Sequence, residues 1–275
     1  MNKLRSEWAH SLTLLREYVF NLSKSLRLSI GNESLNRYIN ILFASLCAAY
    51  DKMELCKLVF SNPLLEDPIK RGREFIRFMV KLSGMGPMIS GESILYAIER
   101  AERILTGSRK RPFIILCDGL SLPEYAYLYD TFSKKISSDG LLYAINPGGM
   151  TKTYEYLTSI FLKSQLENVS MGILGEMLKN RFGAVDSRVF RMIDELVHKS
   201  QLEKFTDPIS MASNLYMVIE DIASRINVLS ENYRILLLSD HGYDVSSEDD
   251  MWYLSHKFSG EKPCLSIFSA MMIIG

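Results

Sequence analysis

Three aspartates and three histidines between positions 118 and 256 are the residues whose types and spacing suit chemistry. Asp118 closes the apolar run Phe113 to Cys117 (FIILC), and Asp240-His241-Gly242 follows a similar run, Arg234 to Leu238 (RILLL), and Ser239. Carboxylate and imidazole are both good zinc ligands, and glycine lets the backbone turn sharply beside them. Asp194 and His198 are four residues apart, a spacing that on a helix puts both side chains on one face, where they can close on a single ion. His256 stands in a loop before a final apolar run. Each feature alone has an ordinary alternative. An aspartate after a strand forms turns or caps helices, and isolated histidines are commonly polar surface. Yet the chain has four histidines and three fall into this one pattern; His10 is left over without a role.

A hydroxyl belongs beside them. In Asn146 to Thr153 (NPGGMTKT), a glycine-rich turn leads from the apolar run Leu141 to Ile145 into helical patterning, which sets Thr151 at or near a helix N-terminus. Free backbone N–H groups and the positive end of the helix dipole there favour both a metal-bound alkoxide, which makes Thr151 a candidate metal ligand as well as nucleophile, and an incoming phosphate. A helix cap is the competing role for Thr151. Thr153 and Ser121 are the alternative nucleophiles, and Lys152 is either a partner for phosphate charge or a solvated lysine.

This order of residues resembles the alkaline-phosphatase superfamily and, in its compact form, the PglZ-type domain: aspartate after a first strand, hydroxyl about thirty residues on, Asp-x-x-x-His, strand-Asp-His-Gly, late histidine. The resemblance covers roughly residues 112 to 264. It implies two divalent ions, zinc with manganese or magnesium as alternatives, one held by Asp194, His198 and His256 and the other by Asp118, Asp240 and His241. It also implies in-line phosphoryl transfer through Thr151, with Lys152 beside it. The expected activity is that of a metal-dependent phosphoric ester hydrolase, a phosphatase or phosphodiesterase, with nucleotides or nucleic-acid ends among its candidate substrates. The alternative is a non-catalytic PglZ-type interaction module in a multi-protein defence or signalling system. In one respect the chain departs from the pattern, because Asp118 is followed by Gly-Leu-Ser-Leu-Pro where the family commonly has an arginine.

These residues need elements to position them. Continuous apolar runs such as FIILC, LLYAI and RILLL are the signature of strands buried on both faces. Between them, about 151–166, 175–181 and 208–229 have helical patterning, and Leu265 to Ile274 reads as a final strand. The expected fold is α/β, a mostly parallel sheet with flanking helices in a reduced alkaline-phosphatase-like core, spanning 109–275. Residues 1–108 are expected to form an all-helical N-terminal region. There Trp8, Leu12, Leu15, Val19, Leu22 and Leu26 make one stripe, and a second helix is predicted over 34–60. A third helix is predicted from an Asp67 cap with Pro68 at its first position, and a fourth from Ser90. Gly84 and Gly86 lack the preceding strand and following Gly-Lys-Ser/Thr of a phosphate loop.

Composition excludes several classes. Lys plus Arg equal Asp plus Glu at 32 each, so no global field points to a dedicated nucleic-acid or membrane-surface binder. No run of about eighteen apolar residues is present, and the N-terminus lacks a signal-peptide apolar block. The cysteines, Cys47, Cys56, Cys117 and Cys264, have no metal-binding spacing, and a reduced cytoplasmic setting is the expectation.

Overall fold

A computed structural model describes residues 2–28, 33–50, 56–57, 59, 62–161, 170–256 and 265–275. The N-terminal region is helical: α1 (Asn2–Leu28), α2 (Ser34–Tyr50), α3 (Glu66–Ser83) and α4 (Pro87–Thr106). All six residues of the α1 stripe are buried. The predicted second helix holds from Ser34 to Tyr50, while Met53 and Phe60 lie outside the described residues. Asp67 does not cap α3. Asn62 instead caps a short 3-10 turn, Pro63–Leu65, by accepting the Leu64 N–H, and the chain winds on into α3 at Glu66. The fourth helix starts at Pro87 rather than Ser90, because proline has no N–H to lose at the first helical position.

Strands and helices then alternate: β1 (Pro112–Cys117), α5 (Leu122–Phe132), β2 (Leu141–Ile145), α6 (Thr151–Phe161), α7 (Met171–Phe182), β3 (Ser187–Phe190), α8 (Met192–Leu202), α9 (Pro208–Asn232) and β4 (Arg234–Ser239). A hairpin of β5 (Asp244–Glu248) and β6 (Met251–Ser255) follows, then β7 (Phe268–Ile274). Residues 162–166 of the helix predicted from Thr151 lie outside the described residues.

The main sheet has the order β2-β7-β4-β1-β3. The expectation of a mostly parallel sheet is corrected: β1 pairs in parallel with β3 and β4, but β7 enters antiparallel between β2 and β4. A parallel strand would need a long crossover back to the opposite edge. The chain instead leaves β4, builds the β5–β6 hairpin, and re-enters from the same edge, with Phe268 opposite Ile145 and Ile274 opposite Ile235. The sheet is therefore mixed. Even so, β1, β2, β3 and β4 all point one way, so their carboxyl ends share an edge.

The N-terminal helices dock on the β2/β7 side. Trp8 of α1 stacks on Tyr143 of β2 at 4.1 Å, and Phe75 of α3 meets Tyr143 and Phe268 edge-on at 5.1 and 6.1 Å. Such aromatic pairs each add about 0.5–1.5 kcal/mol to the area they bury. Burial is continuous across both parts of the chain in one apolar cluster. Among the described residues no helix is long and apolar enough to cross a membrane. Cys47 and Cys56, expected as reduced thiols, are joined in a disulfide; Cys117 is free and buried, and Cys264 lies outside the described residues. Disulfides persist mainly in oxidising compartments.

Candidate metal centre

Four strand ends converge on one edge of the sheet. Asp118 follows β1, the turn to Thr151 follows β2, Asp194 lies in the first turn of α8 just after β3, and Asp240-His241 follows β4. Polar residues gather at such carboxyl ends because strands buried on both faces leave only their ends for polar chemistry. Gly119, at φ +81, takes the left-handed turn directly after Asp118, which a residue with a Cβ would resist. Gly242 is required for a different reason. A Cβ there would sit 2.4 Å from the Leu265 carbonyl oxygen and 2.6 Å from Ser121 Oγ, so no side chain fits beside His241.

Asp118, Asp240 and His241 form a deep triad whose ligand atoms lie within 4.8 Å of one another. His241 Nε2 is 3.4 Å from Asp118 Oδ1 and 3.6 Å from Asp240 Oδ2. Its Nδ1–H donates to the Gly242 carbonyl at 2.8 Å, so in the neutral ring the lone pair is on Nε2, the atom facing the carboxylates. Asp240 is completely buried, and neither of its carboxylate oxygens has a hydrogen-bond partner of good geometry. The Thr151 hydroxyl closes the group, 3.5 Å from Asp118 Oδ1 and 3.4 Å from His241 Nε2. Helix α6 begins at Thr151 itself.

Asp194, His198 and His256 form a second, more open triad. Asp194 lies 3.2 Å from His256 Nε2 and 3.5 Å from His198 Nε2, and the two Nε2 atoms are 3.3 Å apart. The side chain of His198 is 59% exposed against 1% for His241, so one position faces solvent and the other does not. His256 arrives on the hairpin, whose Asp249-Asp250 turn takes two positive φ angles, 50 and 61. Strand β6 is stitched to α8 by Ser200 Oγ, which accepts the Leu254 N–H at 2.9 Å. The triads touch, with the rings of His241 and His256 5.0 Å apart.

The remaining named residues fall elsewhere. Lys152 is exposed. Thr153 Oγ1 is turned toward Gly148, and Ser121 caps α5 while donating to the Tyr243 carbonyl at 3.4 Å. His10 packs edge-on against Phe78 in the helical region. Asn146, a buried residue that sequence reasoning passed over, ties the Thr151 turn to the deep triad: its Nδ2 donates to the carbonyls of Met150 at 2.8 Å and Asp240 at 3.0 Å. Its signal was present, since an asparagine directly after a buried strand and before Pro-Gly-Gly is a turn-former with a side chain to spare.

Charge follows burial. Burial alone would lower the pKa of His241, but the Asp240 and Asp118 carboxylates outweigh it and raise it to about 9. Burial pushes Asp240 above its ordinary value. Burial also acts to raise Asp194, yet His256 and His198 together hold it below the usual range. In the metal-free fold the His241 contribution to stability is complete below its ordinary 6.5 and is lost as pH rises through about 9. A metal needs the neutral ring, so ion uptake by the deep triad at pH 7 should expel about one proton, with affinity rising about tenfold per pH unit until about pH 9. Calorimetry in buffers of different ionisation enthalpy reads this directly; uptake with no proton release would show that the ion does not displace the His241 proton.

Asp240 supplies the test of fit. A buried carboxylate without a hydrogen bond of good geometry is costly, and a cation held jointly with Asp118 and His241 would offset that cost in place of the His241 proton that faces it in the metal-free fold. Comparison with known proteins adds no name to this geometry: no protein-family model matches the chain, and no curated protein matches it in sequence.

Proposed function

We propose that this chain is a metal-dependent phosphoric ester hydrolase resembling the PglZ-type branch of the alkaline-phosphatase superfamily, using two divalent ions, zinc first among them. The observation that carries the reading is the fully buried carboxylate of Asp240, with no hydrogen bond of good geometry on either oxygen, gathered with Asp118, His241 and the Thr151 hydroxyl. Asp118, Asp240 and His241 would hold one ion, and Asp194, His198 and His256 the other. Bound there, such ions act as Lewis acids that stabilise charge on the attacking and leaving oxygens.

The protein's own part is positioning. Asn146 fixes the turn that presents Thr151, and the start of α6 directs unpaired N–H groups and its dipole toward an incoming phosphate. The Thr151 hydroxyl attacks phosphorus as its proton passes to solvent, the ester oxygen leaves and takes up a proton as the alcohol, and water then attacks the phosphothreonine, releasing phosphate and restoring the hydroxyl. Nucleotides and nucleic-acid ends are the substrate class we favour. One observation favours the alternative of a non-catalytic module: among the described residues the triad carboxylates are ion-paired with histidines and with no lysine or arginine. Metal analysis of the purified protein, paired with turnover of a chromogenic phosphate monoester and diester, separates these readings. About two ions per chain with turnover supports the hydrolase, ions without turnover support the module, and no bound ion refutes both.

A further inference from the structure

Glu124 is the fourth residue of the capping box that opens α5, with its Oε2 accepting the Ser121 N–H at 3.2 Å. Such a glutamate ordinarily lies at the surface of a helix start, but this one is fully buried. Its Oε1 accepts two tyrosine hydroxyls, Tyr38 of α2 at 2.5 Å and Tyr243 at 2.6 Å. Burial pushes its carboxyl up to about 7, against the pull of both hydroxyls and the backbone N–H groups. Tyr243 follows Gly242, whose carbonyl orients the His241 ring. Ser121, in turn, lies three residues after Asp118. One carboxylate therefore joins the two loops that carry the whole deep triad. A second contact from α2 repeats the pattern, since the Tyr50 hydroxyl donates to Asp244 Oδ1, which also accepts the Leu265 N–H at 2.7 Å.

We infer that Glu124, braced by Tyr38, is a positioning residue for the deep metal site: through Tyr243 and the Gly242 carbonyl it sets the direction of His241 Nε2, so that deep-site affinity depends on the N-terminal helical region. The inference rests on the metal reading above. Outer partners of a ligating histidine typically govern about 10–100-fold in metal affinity, and this partner acts at one further remove.

Cobalt(II) titration followed by visible absorption tests it, with His198→Ala protein isolating the deep site and His241→Ala protein isolating the outer one. Tyr38→Phe, Tyr243→Phe and Glu124→Gln should each weaken deep-site affinity about tenfold and shift the deep-site absorption bands, leaving the outer site unchanged. Tyr127→Phe is the control. It removes the same kind of contact, a tyrosine hydroxyl donating to Glu220, between α5 and α9, and should leave both sites alone. Equal losses at both sites, no loss, or an effect matched by the control would overturn the inference while the metal reading stands. Failure of the unaltered protein to bind cobalt would remove both.

Discussion

Thr151→Ala should lower phosphate ester turnover by about 10³-fold or more while metal content stays near that of the unaltered protein. Its hydroxyl lies 3.5 Å from Asp118 Oδ1 and 3.4 Å from His241 Nε2, beside two of the proposed metal ligands. It opens α6, so loss of its hydroxyl costs the fold no more than a cap, about 1 kcal/mol. Thr151→Ser, which keeps an oxygen at the same place, should retain much of the activity. Rates on a chromogenic diester, taken beside melting curves and metal content, would separate a lost nucleophile from a damaged fold. If the alanine variant turns over at the original rate, Thr151 only opens α6 and the proposed reaction has the wrong attacking group.

Asp240→Asn should have the opposite profile, losing metal while the Thr151 hydroxyl stays in place. The carboxylate lies 3.6 Å from His241 Nε2 and is the largest source of that ring's raised pKa, so in the metal-free protein the neutral amide should weaken this pair and bring the His241 pKa down from about 9. An ion present at about a thousand times its Kd stabilises a folded chain by about 4 kcal/mol, a rise of about 10 °C in Tm for a protein of this size. That rise should vanish for the deep ion, and metal content should fall from about two per chain to about one. A variant that keeps both ions would recast Asp240 as a structural residue.

The strands that carry the site were legible because burial on both faces leaves a mark in one dimension: FIILC, LLYAI and RILLL are unbroken apolar runs, and the polar residues just beyond each run must lie at an edge. Asp194 and His198 were legible through helical spacing, and His256 only through its place in the order. Elsewhere the signal was faint. Strand β3 is four residues long and half solvated, and β5 reads Asp-Val-Ser-Ser-Glu, with Val245 its single buried residue. Neither has the apolar content that marks a strand. The direction of β7 was hidden for another reason, since Phe268 to Ile274 would be equally apolar running either way. Its sense is fixed by where the preceding hairpin leaves the chain. The cysteine pairing was likewise invisible, because closeness of Cys47 and Cys56 depends on the path of the backbone between them. Glu124 was missed although Ser-Leu-Pro-Glu is a readable capping box, because the pattern announces a helix start and says nothing of two tyrosines arriving from distant elements.

The insertion of β7 has a consequence for how the protein comes into being. Strand β2, which leads to Thr151, meets the rest of the sheet through β7 alone, and β7 follows every other strand in the order of synthesis. The proposed attacking group and the proposed metal ligands thus remain on separate parts of the sheet until β7 slots between them. Such closure over long sequence distances is slow, so the edge that gathers Thr151 beside Asp118 and Asp240 is completed only when this keystone segment enters the sheet.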